Sequence, residues 1–146
     1  MTNLTDSKSI AFMVTTPPHN NNTATAITIV EAALKNSSVD VLGVFFYQDG
    51  VLNASNTLSM PNDELQAIKA WQRLVDTYKV PLHLCVTAGE KRGLSDEIEP
   101  GIESDDKATN TTQSQPLETN ISKNFTVAGL GELVELTVQT DRFIQL

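Results

Sequence analysis

The sequence predicts an α/β fold, a three-layer sandwich built on a mostly parallel sheet. Three observations predict it: short apolar runs of strand length, amphipathic stretches of helical length between them, and turn-forming residues at the junctions. With 146 residues and a hydrophobic fraction of 40%, the chain is expected to bury one core as a single domain over residues 1–146.

Residues 1–8 are polar and read as a loose tail. Ser9 to Thr15 is a short apolar run closed by Pro17-Pro18, which marks a buried strand. Asn20 to Thr23 offers N-cap candidates. The alanine-rich run after it, through Leu34, keeps Ala26, Ile27, Val30, Ala33 and Leu34 at helical spacing. Val39 to Tyr47 is a second buried strand, ended by the turn Gln48-Asp49-Gly50, and Val51 to Leu58 reads as a short helix or loop. Pro61-Asn62-Asp63-Glu64 is expected to open a helix reaching about Tyr78, with Ile68, Trp71, Leu74, Val75 and Tyr78 on one stripe. Leu82 to Val86 is a third strand, and Thr87 to Ile98 a short helix or mobile loop. The stretch 103–124 is rich in Ser, Thr, Asn and Gln, and is expected to be a poorly ordered polar insertion. A short Phe125-Thr126-Val127 segment leads to a helix over Gly129 to Thr140, and Arg142 to Leu146 makes the last strand.

Composition narrows the function. Ten Lys and Arg against 18 Asp and Glu give a net charge of -8. Affinity for phosphate backbones comes largely from cations that release counterions, so direct nucleic-acid binding is not expected. No apolar run approaches the roughly 20 residues that span a bilayer. The N-terminal residues lack a basic segment followed by an apolar one, so a cytoplasmic location is expected. A single cysteine excludes an internal disulfide, a CxxC pair and a cysteine-rich zinc site, and only His19 and His83 join it as soft ligands. No metal and no cofactor is expected.

Cys85 carries two readings. A free cysteine is commonly a small buried apolar residue. At the end of a strand in a parallel sheet, where working residues gather, it is instead placed as a nucleophile. Its sulfur would then face unpaired backbone N–H groups at a helix start, which suit an anionic sulfur, and Lys91 and Arg92 follow within two turns. A solitary thiolate can accept a sulfane sulfur and surrender it to another thiolate. With no second cysteine to resolve the intermediate, donor and acceptor would be other molecules.

The remaining candidates have plainer readings. His83 lies two residues from Cys85, on the same face of an extended strand, and is either a packed histidine or the base of a cysteine hydrolase. His19 falls in a loop after the first strand and reads as a surface residue. Trp71 and Tyr78 read as packing. Gly129-Leu130-Gly131 lacks the third glycine of a dinucleotide fingerprint and reads as a helix-start device. Asp96, Glu97 and Glu99 are either a solvated face or a docking point for a basic partner.

Several of these residues also resemble a known family. Phe45-Phe46-Tyr47, Asp49-Gly50-Val51, Asn53-Ala54, Ala70-Trp71-Gln72 and Leu74 resemble the first half of TusD proteins, within the wider DsrE-like family. Leu84-Cys85-Val86-Thr87-Ala88, Arg92-Gly93-Leu94 and Asp96-Glu97 resemble that family's active-cysteine segment. Phe125, Gly129 to Leu133 and Asp141-Arg142 resemble its close. The similarity spans about residues 9–102 and 124–146. It implies the DsrE-like α/β fold, sulfurtransferase activity, and Cys85 as the persulfide-bearing catalytic residue. It also implies a cytoplasmic hetero-oligomer with TusB- and TusC-like subunits, a TusA-like sulfur donor and a TusE-like acceptor, the sulfur ending as the 2-thio group of a tRNA wobble uridine. The rival readings are a DsrE-type subunit of dissimilatory sulfur metabolism and a non-catalytic assembly module with a buried cysteine.

Overall fold

The computed structural model describes residues 7–97 and 119–146. Strand β1 (Lys8–Val14) leads to helix α1 (Asn21–Lys35), β2 (Val39–Phe46), a 3₁₀ segment (Gln48–Ala54), α2 (Ala67–Tyr78), β3 (Leu82–Cys85) and the short α3 (Val86–Glu90). After residues 98–118 come β4 (Phe125–Ala128), α4 (Leu130–Gln139) and β5 (Arg142–Gln145). The five strands form one sheet in the order β4-β3-β2-β1-β5, and every neighbouring pair is parallel. The parallel α/β architecture expected from the sequence is the one observed.

Register decides what each face buries, because side chains alternate along a strand. Phe12, Val44, Leu82 and Phe125 align on one face, with Val14, Phe46 and Leu84 one step on. That face packs against α1 and α2, and the Phe46 ring meets Trp71 edge-on at 5.0 Å and Phe125 at 5.1 Å. Gly43, Phe45, His83 and Cys85 point to the other face, where α4 lies and Leu136 packs over Gly43. Sequential strands β1 to β4 step in one direction. The connection through α4 then runs back across the sheet to β5, and a right-handed crossover in that direction places α4 on the opposite face.

Local chemistry sets the element ends. Asn20 caps α1 by accepting from the Asn22 N–H at 2.8 Å, and Thr23 donates to the Pro17 carbonyl at 2.6 Å. Glu31 on α1 accepts a forked pair of bonds from Arg73 on α2 and an ion pair from Lys35. The Arg73 guanidinium, then Lys35, holds its carboxyl down at about 2. Asn53 is fully buried and fully partnered: its amide donates to the carbonyls of Thr16 and Gly50, both at 2.9 Å, and its oxygen accepts from the Trp71 indole at 3.1 Å. One side chain thereby joins the β1 exit, the 3₁₀ segment and α2.

Three elements differ from the sequence expectation. The helix expected from Pro61 begins at Ala67, because Pro61 to Glu64 closes a turn (Glu64 N–H to Pro61 carbonyl, 3.0 Å) and the Gln66 amide donates to the Pro61 carbonyl at 2.8 Å. Phe125 to Ala128, expected only as a short lead-in, is a full edge strand. Of the polar stretch 103–124, residues through 118 lie outside the described residues. Thr119 to Asn124 are described and packed, with Ile121 and Ser122 buried and Ile121 bridged to Ser55. Residues 1–6 of the expected tail also lie outside, and β1 begins at Lys8. Among the described residues, no helix is long and apolar enough to cross a membrane.

Candidate active site

Cys85 is the last residue of β3 and the N-cap of α3. After β3 the chain turns toward the α1/α2 side, since Gly89 sits against Leu84. After β4 it departs to the α4 side. Where neighbouring connections part in this way, a crevice opens at the carboxyl edge of a parallel sheet. A cleft of about 250 Å³ lies there, lined by Tyr47, Gln48, Cys85, Thr87, Lys91 and Arg92, with Leu130 of α4 at its lip. Cys85 itself is only 2% exposed, so its sulfur sits at the floor. Gln48, Thr87, Lys91 and Leu130 are exposed, which leaves the cleft open above it. The thiol is recessed but not sealed.

The two cations reach the cleft because α3 is cut short. It has five residues, and Gly93 at φ +77° reverses the chain so that the Leu94 N–H bonds back to the Gly89 carbonyl at 2.9 Å. Only glycine enters that left-handed region freely. Arg92 is then fixed twice, its Nε donating to the Asp49 carboxylate at 2.8 Å and its Nη1 to the Ala88 carbonyl at 3.0 Å. The Arg92–Asp49 pair ties the segment after Cys85 to the 3₁₀ segment after β2. Sequence reasoning singled out Arg92, but it gave Asp49, Gln48 and Leu130 no part in the site. Such pairings join residues some forty positions apart, and no local pattern announces them.

His83 does not join this site. It shares a sheet face with Cys85, as the strand period requires, yet it lies beneath α4 near Gly43 rather than in the cleft lining. Half-buried there, its Nδ1 has no hydrogen-bond partner among the described residues. Burial lowers its pKa below the ordinary histidine value, against the opposing pull of Glu132. A packed neutral histidine describes it better than a general base aimed at sulfur.

The other candidates fall elsewhere. His19 is exposed and lines a separate groove with Met60 and Glu64. Trp71 is core. Gly129 starts α4, its N–H donating to the Glu132 carboxylate at 2.9 Å. Asp96 and Glu97 are exposed, and Glu99 lies outside the described residues.

Comparisons with known proteins bear on the family and the fold. The sulfurtransferase TusD of Salmonella dublin is 34% identical over 135 residues, covering 92% of this chain and 97% of that protein. Sulfurtransferase TusD of Salmonella paratyphi B is 35% identical over the same shares. The crystal structure of the ychN protein from E. coli superposes with a TM-score of 0.60 over 96% of this chain and 99% of that one. Its 17% identity speaks to fold alone. A profile of the DsrE/DsrF-like family matches residues 8–146, and the chain belongs to that family.

Proposed function

We propose that this protein is a sulfurtransferase that carries sulfur as a persulfide on Cys85 and passes it between partner proteins. One observation carries the reading: the sole cysteine forms the floor of an open cleft at the carboxyl edge of the sheet, in a chain 34% identical over 92% of its length to proteins named sulfurtransferase TusD. In the loading step the Cys85 thiolate attacks the outer sulfur of a donor persulfide. A sulfur–sulfur bond to Cys85 forms, the donor's bond breaks, and the electron pair leaves on the donor thiolate. Discharge is the same displacement in reverse roles: an acceptor thiolate takes the outer sulfur, and Cys85 leaves as thiolate. No net oxidant or reductant is consumed.

The test is mass spectrometry of the native protein after incubation with a persulfide donor. The peptide holding Cys85 is expected to gain one sulfur, and protein alkylated beforehand to gain none. Failure of the unmodified protein to gain sulfur, even with companion subunits present, would sink the reading. The low exposure of Cys85 favours the opposite view, an assembly module with a structural cysteine, and the same measurement decides between them.

The reading extends to partners. A TusA-like donor, a TusE-like acceptor and TusB- and TusC-like companion subunits in the cytoplasm fit the family, with the 2-thio group of a tRNA wobble uridine as the end product. On α4, Leu130, Val134 and Val138 recur every four residues and are 52%, 59% and 78% exposed. This apolar stripe starts at the lip of the cleft and suits a companion subunit. Val134→Asp with Val138→Asp is expected to leave the isolated chain folded and to release it from a complex co-expressed with its companions, read by size-exclusion chromatography. An intact complex would remove the stripe from the interface.

A further inference from the structure

Among the described residues, two that are not glycine hold a positive φ: Lys79 at 58° and Gln48 at 50°. Lys79 is explained by its place, since it caps the C-terminus of α2 in the left-handed conformation such caps adopt. Gln48 ends no helix. It opens the 3₁₀ segment two residues after β2 ends at Phe46, where glycine would take the same backbone without steric cost. Its side chain makes no hydrogen bond within the described residues, so no contact among them explains why an amide is there. What it does is line the Cys85 cleft. An unfavourable conformation held at a cleft wall, by a side chain without an intramolecular task, points toward a ligand.

Lys91 stands in the same lining. Arg92 beside it is engaged by Asp49 and the Ala88 carbonyl, whereas Lys91 is exposed and forms no ion pair among the described residues. In a chain of net charge -8, an uncommitted cation and an uncommitted amide face one recessed sulfur. The species that this pair suits is a terminal sulfur bearing negative charge, which accepts hydrogen bonds from N–H groups and is repelled by an approaching thiolate.

We propose that Gln48 and Lys91 form the subsite for the outer sulfur of the Cys85 persulfide, Gln48 donating an amide hydrogen bond and Lys91 supplying charge. This rests on the sulfurtransferase reading and adds to it the residues that hold the cargo. Both groups act in discharge. The acceptor thiolate attacks the outer sulfur, that sulfur departs bonded to the acceptor, and the electron pair of the broken bond stays on Cys85. Neutralising the outer sulfur lowers the repulsion the attacking thiolate meets.

The experiment loads the full chain with inorganic polysulfide and follows sulfur on Cys85 by mass spectrometry during discharge to glutathione. Gln48→Gly is the informative variant, because it removes the amide while easing the backbone. It is expected to raise the thermal midpoint or leave it unchanged, and to slow discharge about tenfold, the share of one charge-assisted hydrogen bond. A slower reaction in a protein at least as stable does not come from lost folding. Lys91→Gln is expected to slow discharge similarly, and Lys91→Arg to keep the rate near that of the parent. Discharge of Gln48→Gly at the parental rate would overturn the subsite while leaving Cys85 as carrier. Failure of the parent protein to load at Cys85 would overturn the carrier reading and the subsite with it.

Discussion

Cys85→Ser is expected to reduce sulfur transfer about 1,000-fold or more, the scale of losing a covalent nucleophile. A serine oxygen is a poor nucleophile at neutral pH and forms no persulfide. In most proteins a neighbouring thiol could take up misdirected sulfur and blur the result. This chain has one cysteine, so the variant has no thiol at all and the loss is expected to be complete. The fold is expected to survive. At 2% exposure the new hydroxyl is buried, at a cost of about 1–3 kcal/mol. Cys85→Ala avoids that cost and serves as the second variant. Transfer kinetics measured beside thermal unfolding separate the two effects, and transfer by a folded Cys85→Ala protein at anything near the parental rate would refute the role.

The largest stability effect is expected from Gly50→Ala. A Cβ at Gly50 would fall 2.0 Å from the Val14 carbonyl oxygen, 2.7 Å from its carbon and 3.1 Å from the Thr15 Cα. All three are main-chain atoms. The Val14 oxygen also accepts from the Tyr47 N–H at 3.0 Å, so it cannot withdraw without opening the join between β1 and the end of β2. Overpacking against a fixed backbone costs about 3 kcal/mol, lowering the thermal midpoint by about 10 °C in a domain of this size. The damage would spread, because the Gly50 carbonyl also accepts from the Asn53 amide and Gly50 stands next to Asp49, the anchor of Arg92. Gly131→Ala provides the contrast: nothing lies within 4 Å of its added Cβ, and the helix is expected to gain about 0.5–1 kcal/mol. Equal midpoints for the two variants would show that the close approach at Gly50 is not limiting.

Most of the architecture was legible because it rests on short continuous apolar runs and on stripes of period 3.6. The apolar runs around Phe12, Phe45 and Leu84 are strands, and the stripe through Trp71 and Leu74 is a buried helix face. The misjudged elements lack a clean period. At an edge, Phe125 to Ala128 has only two buried residues, too few to stand out after a polar run. Pro61-Asn62-Asp63-Glu64 has the composition of a helix start, but it is spent on a turn that the Gln66 amide closes five residues on. The cleft divides in the same way. A lone cysteine at a strand end is visible in sequence. The left-handed Gln48, the Arg92–Asp49 tie and the Asn53 hub depend on partners far along the chain or on backbone angles that a sequence does not display.

The chain on either side of residues 98–118 is stitched to itself. Ser95 donates its N–H to the Asn120 side chain at 2.9 Å, its carbonyl accepts from the Thr119 hydroxyl at 3.1 Å, and the Asn120 amide reaches the Gly93 carbonyl at 2.7 Å. This clasp joins the segment after α3 to the segment before β4, so the spacing of β3 and β4 is held by the described residues themselves. The positions of β3, of the cysteine at its end and of β4 are therefore secured by contacts among the described residues on both sides of that stretch.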